Sequence, residues 1–211
     1  MKRRVGILIS GRGSNMVALA EAARDPAYPA EIAVVIANDP TAAGLALAEA
    51  HGIPTRAIPH RPYRGDRAAH EAAIDAALAA EAVEVVCLAG YMRLLTPLLV
   101  GRYAARMLNI HPSLLPAFPG LDTHARALAA GVKFHGCTVH LVTEAMDEGP
   151  ILAQAAVPVR PGDDAATLGA RVLAEEHRLY PAALSRFLRG EPGQAPTMAL
   201  HNPLPDVLPT P

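Results

Sequence analysis

Short, continuous apolar stretches alternate with Ala-rich segments of helical period along the first half of the chain. Continuous apolar runs are typical of strands buried on both faces, and they predict strands at 5–10, 32–37, 83–89 and 106–110, with a short edge strand at 55–59. Helical periodicity predicts helices at 14–24, 41–50 and 67–80. Such alternation forms βαβ units with right-handed crossovers. The pattern therefore predicts an α/β fold, an open, mostly parallel twisted sheet with helices on both faces.

The pattern changes after residue 112. The second half predicts a Pro- and Gly-rich loop at 114–121, a short helix at 124–130, strands at 136–142 and 150–159, and a closing helix at 165–188. From residue 190 onward the chain is rich in Pro and has no apolar period. We therefore expect a single domain over residues 1–190 and a Pro-rich C-terminal extension at 191–211.

Composition and charge narrow the class of function. Apolar residues make up 51% of the chain, which is enough for a full core, and the net charge of −1 comes without a basic stripe that nucleic acid would require. Lys2 to Arg4 precede an apolar stretch too short for a signal peptide, and no stretch approaches the roughly 20 apolar residues of a membrane helix. We expect a cytoplasmic protein without a nucleic-acid or membrane partner. Cys87 and Cys137 are expected to be isolated core thiols.

In an open parallel sheet, ligands bind beyond the carboxyl ends of the strands. The first polar group at such a place is the turn 10–15, Ser-Gly-Arg-Gly-Ser-Asn. Its glycines let backbone N–H groups face a ligand, and Ser14 is expected to cap the following helix and to donate to an anion. The turn lacks the third glycine of a dinucleotide fingerprint and the lysine of a P-loop. A phosphate or carboxylate cradle and an ordinary capped turn are equally compatible with it.

The second group follows the strand at 106–110. The two-residue period of a strand places Asn109 and His111 on one face, and Pro112 must end the strand. An amide and an imidazole can both donate to an oxygen that becomes negative during acyl transfer, and the imidazole can also move a proton. A lone histidine would favour a structural role, but its pairing with Asn109 favours a catalytic one.

The third group is the acidic turn at 143–150, and the fourth is the turn 89–95. A carboxylate near His111 would favour the protonated imidazole, with Asp147 as the candidate, although Glu144 and Glu148 fit equally well. The acidic spacing does not match a calcium loop, so no metal is predicted. In the fourth group, Met92 and Leu94 could line an apolar slot for a flat ring, or simply belong to a βα turn. The other histidines, at 124, 135, 140 and 177, are expected in the core or at caps.

Several segments, taken in chain order, resemble one enzyme family. They are Gly-Arg-Gly-Ser-Asn at 11–15, Leu-Ala-Gly-Tyr-Met-Arg at 88–93, Asn-Ile-His-Pro-Ser-Leu-Leu-Pro at 109–116, His-Gly-Cys-Thr-Val-His at 135–140, Asp-Glu-Gly-Pro at 147–150 and Glu-Glu-His at 175–177. Over roughly residues 4–190 the chain resembles the phosphoribosylglycinamide formyltransferases. The resemblance implies a Rossmann-like formyltransferase domain at 1–190. It also implies formyl transfer from 10-formyltetrahydrofolate to the amine of glycinamide ribonucleotide in de novo purine biosynthesis, without a metal.

The resemblance also implies roles for individual residues. His111 would be the proton donor, Asp147 the carboxylate that stabilises its protonated form, and Asn109 the oxyanion ligand. The residues implied to bind glycinamide ribonucleotide are Gly13, Ser14, Asn15 and Glu176. Those implied to bind the folate are Arg67, Met92, Arg93, Leu94, Leu95 and Asn109.

The sequence departs from the family pattern at 122–125, where Asp-Thr-His-Ala replaces His-Thr-His-Arg. Arg126 and Arg171 are candidates for the missing basic contact. The nearest alternatives are formyltetrahydrofolate hydrolase, which carries an N-terminal regulatory domain, and methionyl-tRNA formyltransferase, which carries a C-terminal tRNA-binding domain. We expect neither additional domain, because the first predicted strand already starts by Val5. A non-catalytic nucleotide-binding module is the alternative from another class, and the sequence leaves the oligomeric state open as monomer or homodimer.

Overall fold

Seven strands form one sheet in the computed structural model, which describes residues 1–191. The strands are β1 (Arg3–Ile9), β2 (Ala30–Ala37), β3 (Thr55–Ala57), β4 (Val85–Leu88), β5 (Met107–His111), β6 (Phe134–Leu141) and β7 (Ile151–Pro158). Their spatial order is β3-β2-β1-β4-β5-β6-β7. The first five run parallel, and β6 and β7 add antiparallel. The predicted open, mostly parallel sheet is confirmed.

Helices cover both faces of this sheet. They are α1 (Ser14–Ala23), α2 (Ala43–Ala50), α3 (Arg67–Ala80), α4 (Pro97–Arg102), α5 (Thr123–Ala129) and α6 (Ala165–Arg189). On one face α1, α2 and α6 bury residues such as Met16, Ala48 and Val172 against the sheet. On the other face α3 and α4 bury Ile74 and Leu99. The two-sided core is the one that continuous apolar strands require.

The order in which the chain adds strands reverses between β1 and β4. From β1 the chain builds outward through β2 and β3, and from β4 it builds outward on the other side. The loops that leave β1 and β4 therefore diverge and open a crevice at the carboxyl edge of the sheet. This crevice is where the fold predicts a ligand.

Caps and turns decide where the elements begin and end. Asp66 caps α3 by accepting from Ala69 N at 3.0 Å, and β5 ends at the residue before Pro112, as predicted. The predicted cap of α1 was wrong. Gly13 occupies the cap position with a left-handed φ of 75° and Ser14 is the first helical residue, so no side chain caps this helix. A capping side chain belongs to the residue before the helix and accepts from N–H groups of the first turn. Ser14 already lies within that turn, so its hydroxyl is not placed to accept from them.

Two short elements were not predicted, namely α4 and a 3₁₀ turn at Arg61–Tyr63. Both contain too few residues to show a helical period. The other predicted elements are present with boundaries shifted by a few residues. Cys87 and Cys137 are buried and unbridged. The Pro-rich extension expected at 191–211 lies outside the described residues except for its first residue.

Candidate active site

Four polar side chains meet beside the carboxyl end of β5. Asp147 Oδ2 lies 3.5 Å from His111 Nδ1, and Asn109 Nδ2 lies 3.1 Å from His140 Nε2. His140 Nε2 is 3.8 Å from Asp147 Oδ1, which closes the group. We call these four residues the chemical centre. Three of them were predicted, whereas His140 was expected to be a core residue.

The antiparallel pairing of β5 with β6 explains why His140 belongs to this group. The register sets Asn109 opposite His140 and His111 opposite Thr138. Directly paired residues project from the same face of a sheet, so His140 stands beside Asn109. The spacing of Thr138 and His140 repeats that of Asn109 and His111. This shared two-residue spacing was the only sequence signal for His140. It could not show that His140 pairs with Asn109.

The hydrogen bonds of His140 define its role. Its Nδ1 lies 3.0 Å from Leu141 O, and a carbonyl can only accept, so Nδ1 carries the proton. Nε2 is then an acceptor for the Asn109 amide. Burial lowers the pKa of His140, with the nearby Asp147 carboxylate opposing the shift. A neutral His140 therefore orients the Asn109 side chain, leaving the second N–H of that amide for another acceptor.

His111 faces an acceptor at each ring nitrogen. Nε2 lies 3.1 Å from Phe118 O, and Nδ1 faces the carboxylate of Asp147. The carboxylate is itself held, because Gly120 N donates to Asp147 Oδ2 at 2.8 Å. An imidazole with two acceptors is best satisfied when both nitrogens carry protons. The arrangement suits a group that donates a proton.

The geometry also resolves the choice among the three acidic residues of the turn. The Asp147 side chain is 11% exposed beside His111, while Glu144 and Glu148 are exposed. Asp147 adopts a left-handed φ of 58°, a conformation that Asp tolerates better than most residues. Gly149 holds the loop against β6, because a Cβ there would overlap the carbonyl oxygen of Leu141.

A buried hydrogen-bond network supports the turn that follows His111. Thr138 Oγ1 donates to Ser113 O at 2.7 Å and accepts from Leu115 N at 3.0 Å. Gln154 Nε2 donates to Leu115 O at 2.8 Å. On the other side of the sheet end, the buried Tyr180 hydroxyl lies 3.1 Å from Leu88 O and 3.0 Å from Leu108 O. Sequence analysis found none of these supports, because each joins segments that are distant in the chain.

Two further histidines pack behind the centre. His124 Nδ1 lies 3.1 Å from His135 Nε2, and their rings meet edge to face. Burial, together with the neighbouring His124, lowers the pKa of His135 to about 4. Burial also lowers the pKa of His124. The lowered pKa values favour a neutral pair near pH 7, and the expected core or cap role of both residues stays a prediction.

We call the turn at 11–15 the cradle, after the anion-binding interpretation of its sequence, which stays a prediction. Gly44 N donates to Gly11 O at 3.0 Å, which packs the start of α2 against the turn. A Cβ on Gly13 would lie 2.8 Å from Gly44 Cα, so only glycine fits at this left-handed position. The first N–H groups of α1 have no partner within the helix and point out of its N-terminus. Gly44 is a part of the cradle that sequence analysis missed.

Glu176 reaches the cradle from α6. Asn15 Nδ2 donates to Glu176 Oε2 at 2.7 Å, and both side chains are buried. Burial raises the pKa of Glu176, while the Asn15 hydrogen bond opposes the shift. Asn15 Oδ1 has no hydrogen-bond partner within residues 1–191. The structure thus joins two predicted substrate-binding residues that lie 161 positions apart.

The residues predicted to bind a flat ring follow β4 at the carboxyl edge of the sheet. Met92 is 71% exposed and Leu94 is 60% exposed. Arg67 starts α3, one turn before Glu71, and Glu71 contacts Thr96 directly after this segment. Residues four apart lie on adjacent turns of one helix face, so Arg67 lies one turn from this contact. Arg67 and Arg93 form no ion pair with another described residue.

The two arginines proposed to replace the missing basic contact are both engaged elsewhere. Arg126 donates to Pro119 O and Leu121 O, and Arg171 pairs with Asp163 at 2.8 Å. Within residues 1–191, no cluster of His, Cys, Asp and Glu could hold a metal ion, and no helix is long and apolar enough to span a bilayer. A cavity of about 360 Å³ opens at the opposite edge of the sheet. Two of the cations that line it, Lys2 and Arg4, already donate to protein oxygens, and we assign the cavity no function.

Comparison with known proteins places the chain in a formyl transferase family. The family model "Formyl transferase" matches residues 3–184. Phosphoribosylglycinamide formyltransferase of Escherichia coli K12 is 42% identical over 184 residues, covering 87% of this chain and 86% of that protein. The crystal structure of phosphoribosylglycinamide formyltransferase from Brucella melitensis is 56% identical, with a TM-score of 0.87, covering 96% of this chain and 100% of that one.

An animal relative is much longer. The human trifunctional purine biosynthetic protein adenosine-3 is 49% identical over 189 residues, covering 90% of this chain. The chain spans 19% of the length of that protein. The similarity therefore concerns one part of the trifunctional protein.

Proposed function

The chain belongs to the formyl transferase family, among the phosphoribosylglycinamide formyltransferases, and on this premise we propose that it formylates the amine of glycinamide ribonucleotide. The formyl donor is 10-formyltetrahydrofolate, and the reaction is a step of de novo purine biosynthesis. One observation carries the proposal above the others: an amide, a histidine and a carboxylate converge beside a preformed anion cradle at one edge of the sheet.

The chemical step follows from these groups. The primary amine of the acceptor attacks the formyl carbon, and the carbonyl π electrons move to oxygen. The free N–H of Asn109 donates a hydrogen bond to this developing oxyanion, and protonated His111 donates a second one when its Nε2–H exchanges Phe118 O for the oxyanion. Asp147, directly or through a water molecule, takes the proton from the attacking nitrogen and delivers it to N10 of the folate. Collapse of the tetrahedral species breaks the carbon–N10 bond and releases the formylated amine and tetrahydrofolate.

The cradle accounts for binding of the acceptor. Backbone N–H groups of Gly13, Ser14 and Asn15 at the start of α1 hold the phosphate, where the helix dipole favours an anion. Glu176 accepts from the ribose hydroxyls, and Asn15 fixes its orientation. The unpartnered Oδ1 of Asn15 supports a ligand donor at this point.

The crevice beyond β4 accounts for binding of the donor. Met92, Leu94 and Leu95 contact the flat pterin ring, which requires an apolar surface. Arg67 and Arg93 bind the anionic part of the folate. Asn109 contacts the donor as well, because β5 pairs with β4 and sets Asn109 opposite Leu88, just before this segment.

An assay of formyl transfer tests the function. The purified protein is mixed with 10-formyltetrahydrofolate, and release of tetrahydrofolate is followed with and without glycinamide ribonucleotide. We expect release that depends on the ribonucleotide, with much slower release when glycinamide without the ribose phosphate replaces it. Equal release without any amine would identify a formyltetrahydrofolate hydrolase, and no release under any condition would contradict both functions.

The same reasoning extends to the setting of the enzyme. We propose a single formyltransferase domain over residues 1–190 that acts in the cytoplasm on two small anionic substrates. The match of the family model to residues 3–184 supports these limits. Sedimentation at several protein concentrations will distinguish monomer from homodimer.

A further inference from the structure

The segment assigned to the folate, residues 92–95, lacks regular secondary structure. Two of its apolar side chains, Met92 and Leu94, are largely exposed. An exposed segment without helix or ladder hydrogen bonds has little of its own to hold one conformation. If this segment is to form a binding surface of constant shape, residues outside the segment must fix its conformation.

A hydroxyl holds the first end of the segment. Met92 N donates to Ser10 Oγ at 2.8 Å, and Ser10 N donates to Gly90 O at 3.2 Å. Ser10 Oγ in turn donates to Asn38 Oδ1 at 2.5 Å. Since a hydroxyl has one proton, its donation to Asn38 directs a lone pair at Met92 N. The ends of β1, β2 and β4 are thereby joined at one side chain.

A buried carboxylate holds the other end. Glu71, 2% exposed, accepts from Thr96 N at 2.7 Å and from Thr96 Oγ1 at 2.6 Å. It also accepts from Leu99 N at 3.3 Å in the first turn of α4. Hydrogen bonds to a charged acceptor are about twice as strong as neutral ones, and the N-terminus of α4 favours the negative charge. Glu71 belongs to α3, so the position of its carboxylate is set by a helix outside residues 92–95.

We propose that Glu71 and Ser10 are positioning residues for the formyl donor. They do not touch the folate; they hold residues 92–95 at both ends in the conformation that receives it. Without this hold, the segment would have to be ordered on binding, and that cost would lower the affinity for the donor alone. The inference rests on the proposed function, which assigns residues 92–95 to the folate.

Steady-state kinetics of Glu71→Gln test the proposal. The amide removes the charge and one acceptor, so the KM for 10-formyltetrahydrofolate should rise about tenfold, while the KM for glycinamide ribonucleotide stays within about twofold. Glu49→Gln is the matched control, because Glu49 also accepts from a threonine hydroxyl, Thr55 Oγ1 at 2.8 Å, but on an exposed surface. The control should leave both KM values unchanged.

A second pair of variants keeps the test decisive should Glu71→Gln fold poorly. Thr96→Val removes the hydroxyl that donates to Glu71 and should raise the donor KM, whereas Thr96→Ser retains it and should restore the value. Calorimetric titration with tetrahydrofolate should show the same order of affinities. An equal rise in both KM values, or an unchanged donor KM in folded variants, would overturn the proposal. Absence of ribonucleotide-dependent transfer by the unaltered protein would instead overturn the proposed function.

Discussion

The cradle is made from the backbone of one continuous turn, whereas the chemical centre is made from side chains of three separate segments. In the cradle, Gly13 and the first residues of α1 present N–H groups, while Gly44 and Glu176 come from other segments. In the centre, Asn109 and His111 come from β5, His140 from β6 and Asp147 from the loop before β7. Both regions lie at the same edge of the sheet and share its rigid frame.

Because of this difference, the two regions should respond differently to substitutions. A cradle built from backbone groups depends on the conformation of its turn. Substitution of a glycine should therefore impair it more than substitution of a side chain. A centre built from side chains depends on each functional group, and its backbone is held by strand pairing. We therefore expect changes in the centre to lower turnover, and changes in the cradle to weaken binding of the acceptor.

The largest expected effect is that of Asn109→Ala. The substitution removes one donor to the oxyanion, and loss of such a donor lowers kcat by roughly 100- to 1000-fold. The KM for glycinamide ribonucleotide should change little, since the cradle is untouched. Steady-state kinetics in both substrates measure the two values, and thermal unfolding checks that the variant is folded. Near-normal turnover would rule out the oxyanion role of Asn109.

The next effect concerns acid stability behind the centre. The pKa of His135 is lowered to about 4, so this residue contributes stability above its unfolded value of 6.5, and the contribution is lost as the pH falls toward 4. Between pH 7.5 and pH 5 this amounts to about 2 kcal/mol of unfolding free energy. Urea titrations should show that His135→Phe loses correspondingly less stability over this interval.

Between pH 7.5 and pH 8.5, His135 is neutral in the folded and the unfolded state. In this range the unfolding free energies of the unaltered protein and of His135→Phe should change in parallel with pH. Parallel curves below pH 6.5 as well would mean that His135 ionises in the folded protein. The edge-to-face packing against Phe118 and His124 would then be looser than the structure has it.

A third, smaller effect tests the backbone of the cradle. Gly13→Ala forces a Cβ into a left-handed position, at a cost of about 1–2 kcal/mol, and against Gly44. The distorted turn should raise the KM for glycinamide ribonucleotide about tenfold, with a smaller change in kcat. Gly11→Ala is the matched control for stability, because a Cβ there meets nothing within 4 Å. A drop in kcat at saturating acceptor, with its KM unchanged, would contradict the division between the two regions.

The smallest effect is a gain in stability at the cradle. Burial raises the pKa of Glu176, so its contribution to stability is present below the unfolded value and is lost as the pH rises through the folded one. Glu176→Gln removes the ionisable group, and with it this loss of stability at high pH. The amide oxygen of Gln can still accept the hydrogen bond from Asn15. The variant should therefore be more stable than the unaltered protein at pH 7, with the difference vanishing near pH 4. An equal difference at both pH values would point to packing instead of charge.

The sequence was most informative where structure depends on neighbours in the chain. Continuous apolar runs predicted the parallel strands, and the rule that ligands bind at their carboxyl ends predicted the turns after β1, β4 and β5 as the site. The position of His111 beside Asn109 followed from the strand period and from Pro112. The misplaced cap of α1 shows the limit even there, because Gly13 takes that position through its backbone conformation alone.

The sequence alone determined that Asn109, His111 and the turn at 11–15 stand at the carboxyl edge of the sheet, because each follows directly from its own strand or turn. The residue pattern left Asp147, Glu144 and Glu148 open and only the resemblance implied Asp147, whereas the tertiary structure sets Asp147 beside His111. Only the tertiary structure decided that His140 orients Asn109 and that Glu71 holds the start of α4. The reason is physical. Antiparallel register and helix packing are set by the burial of apolar surface over the whole domain, and no local pattern records which distant side chain that burial brings near.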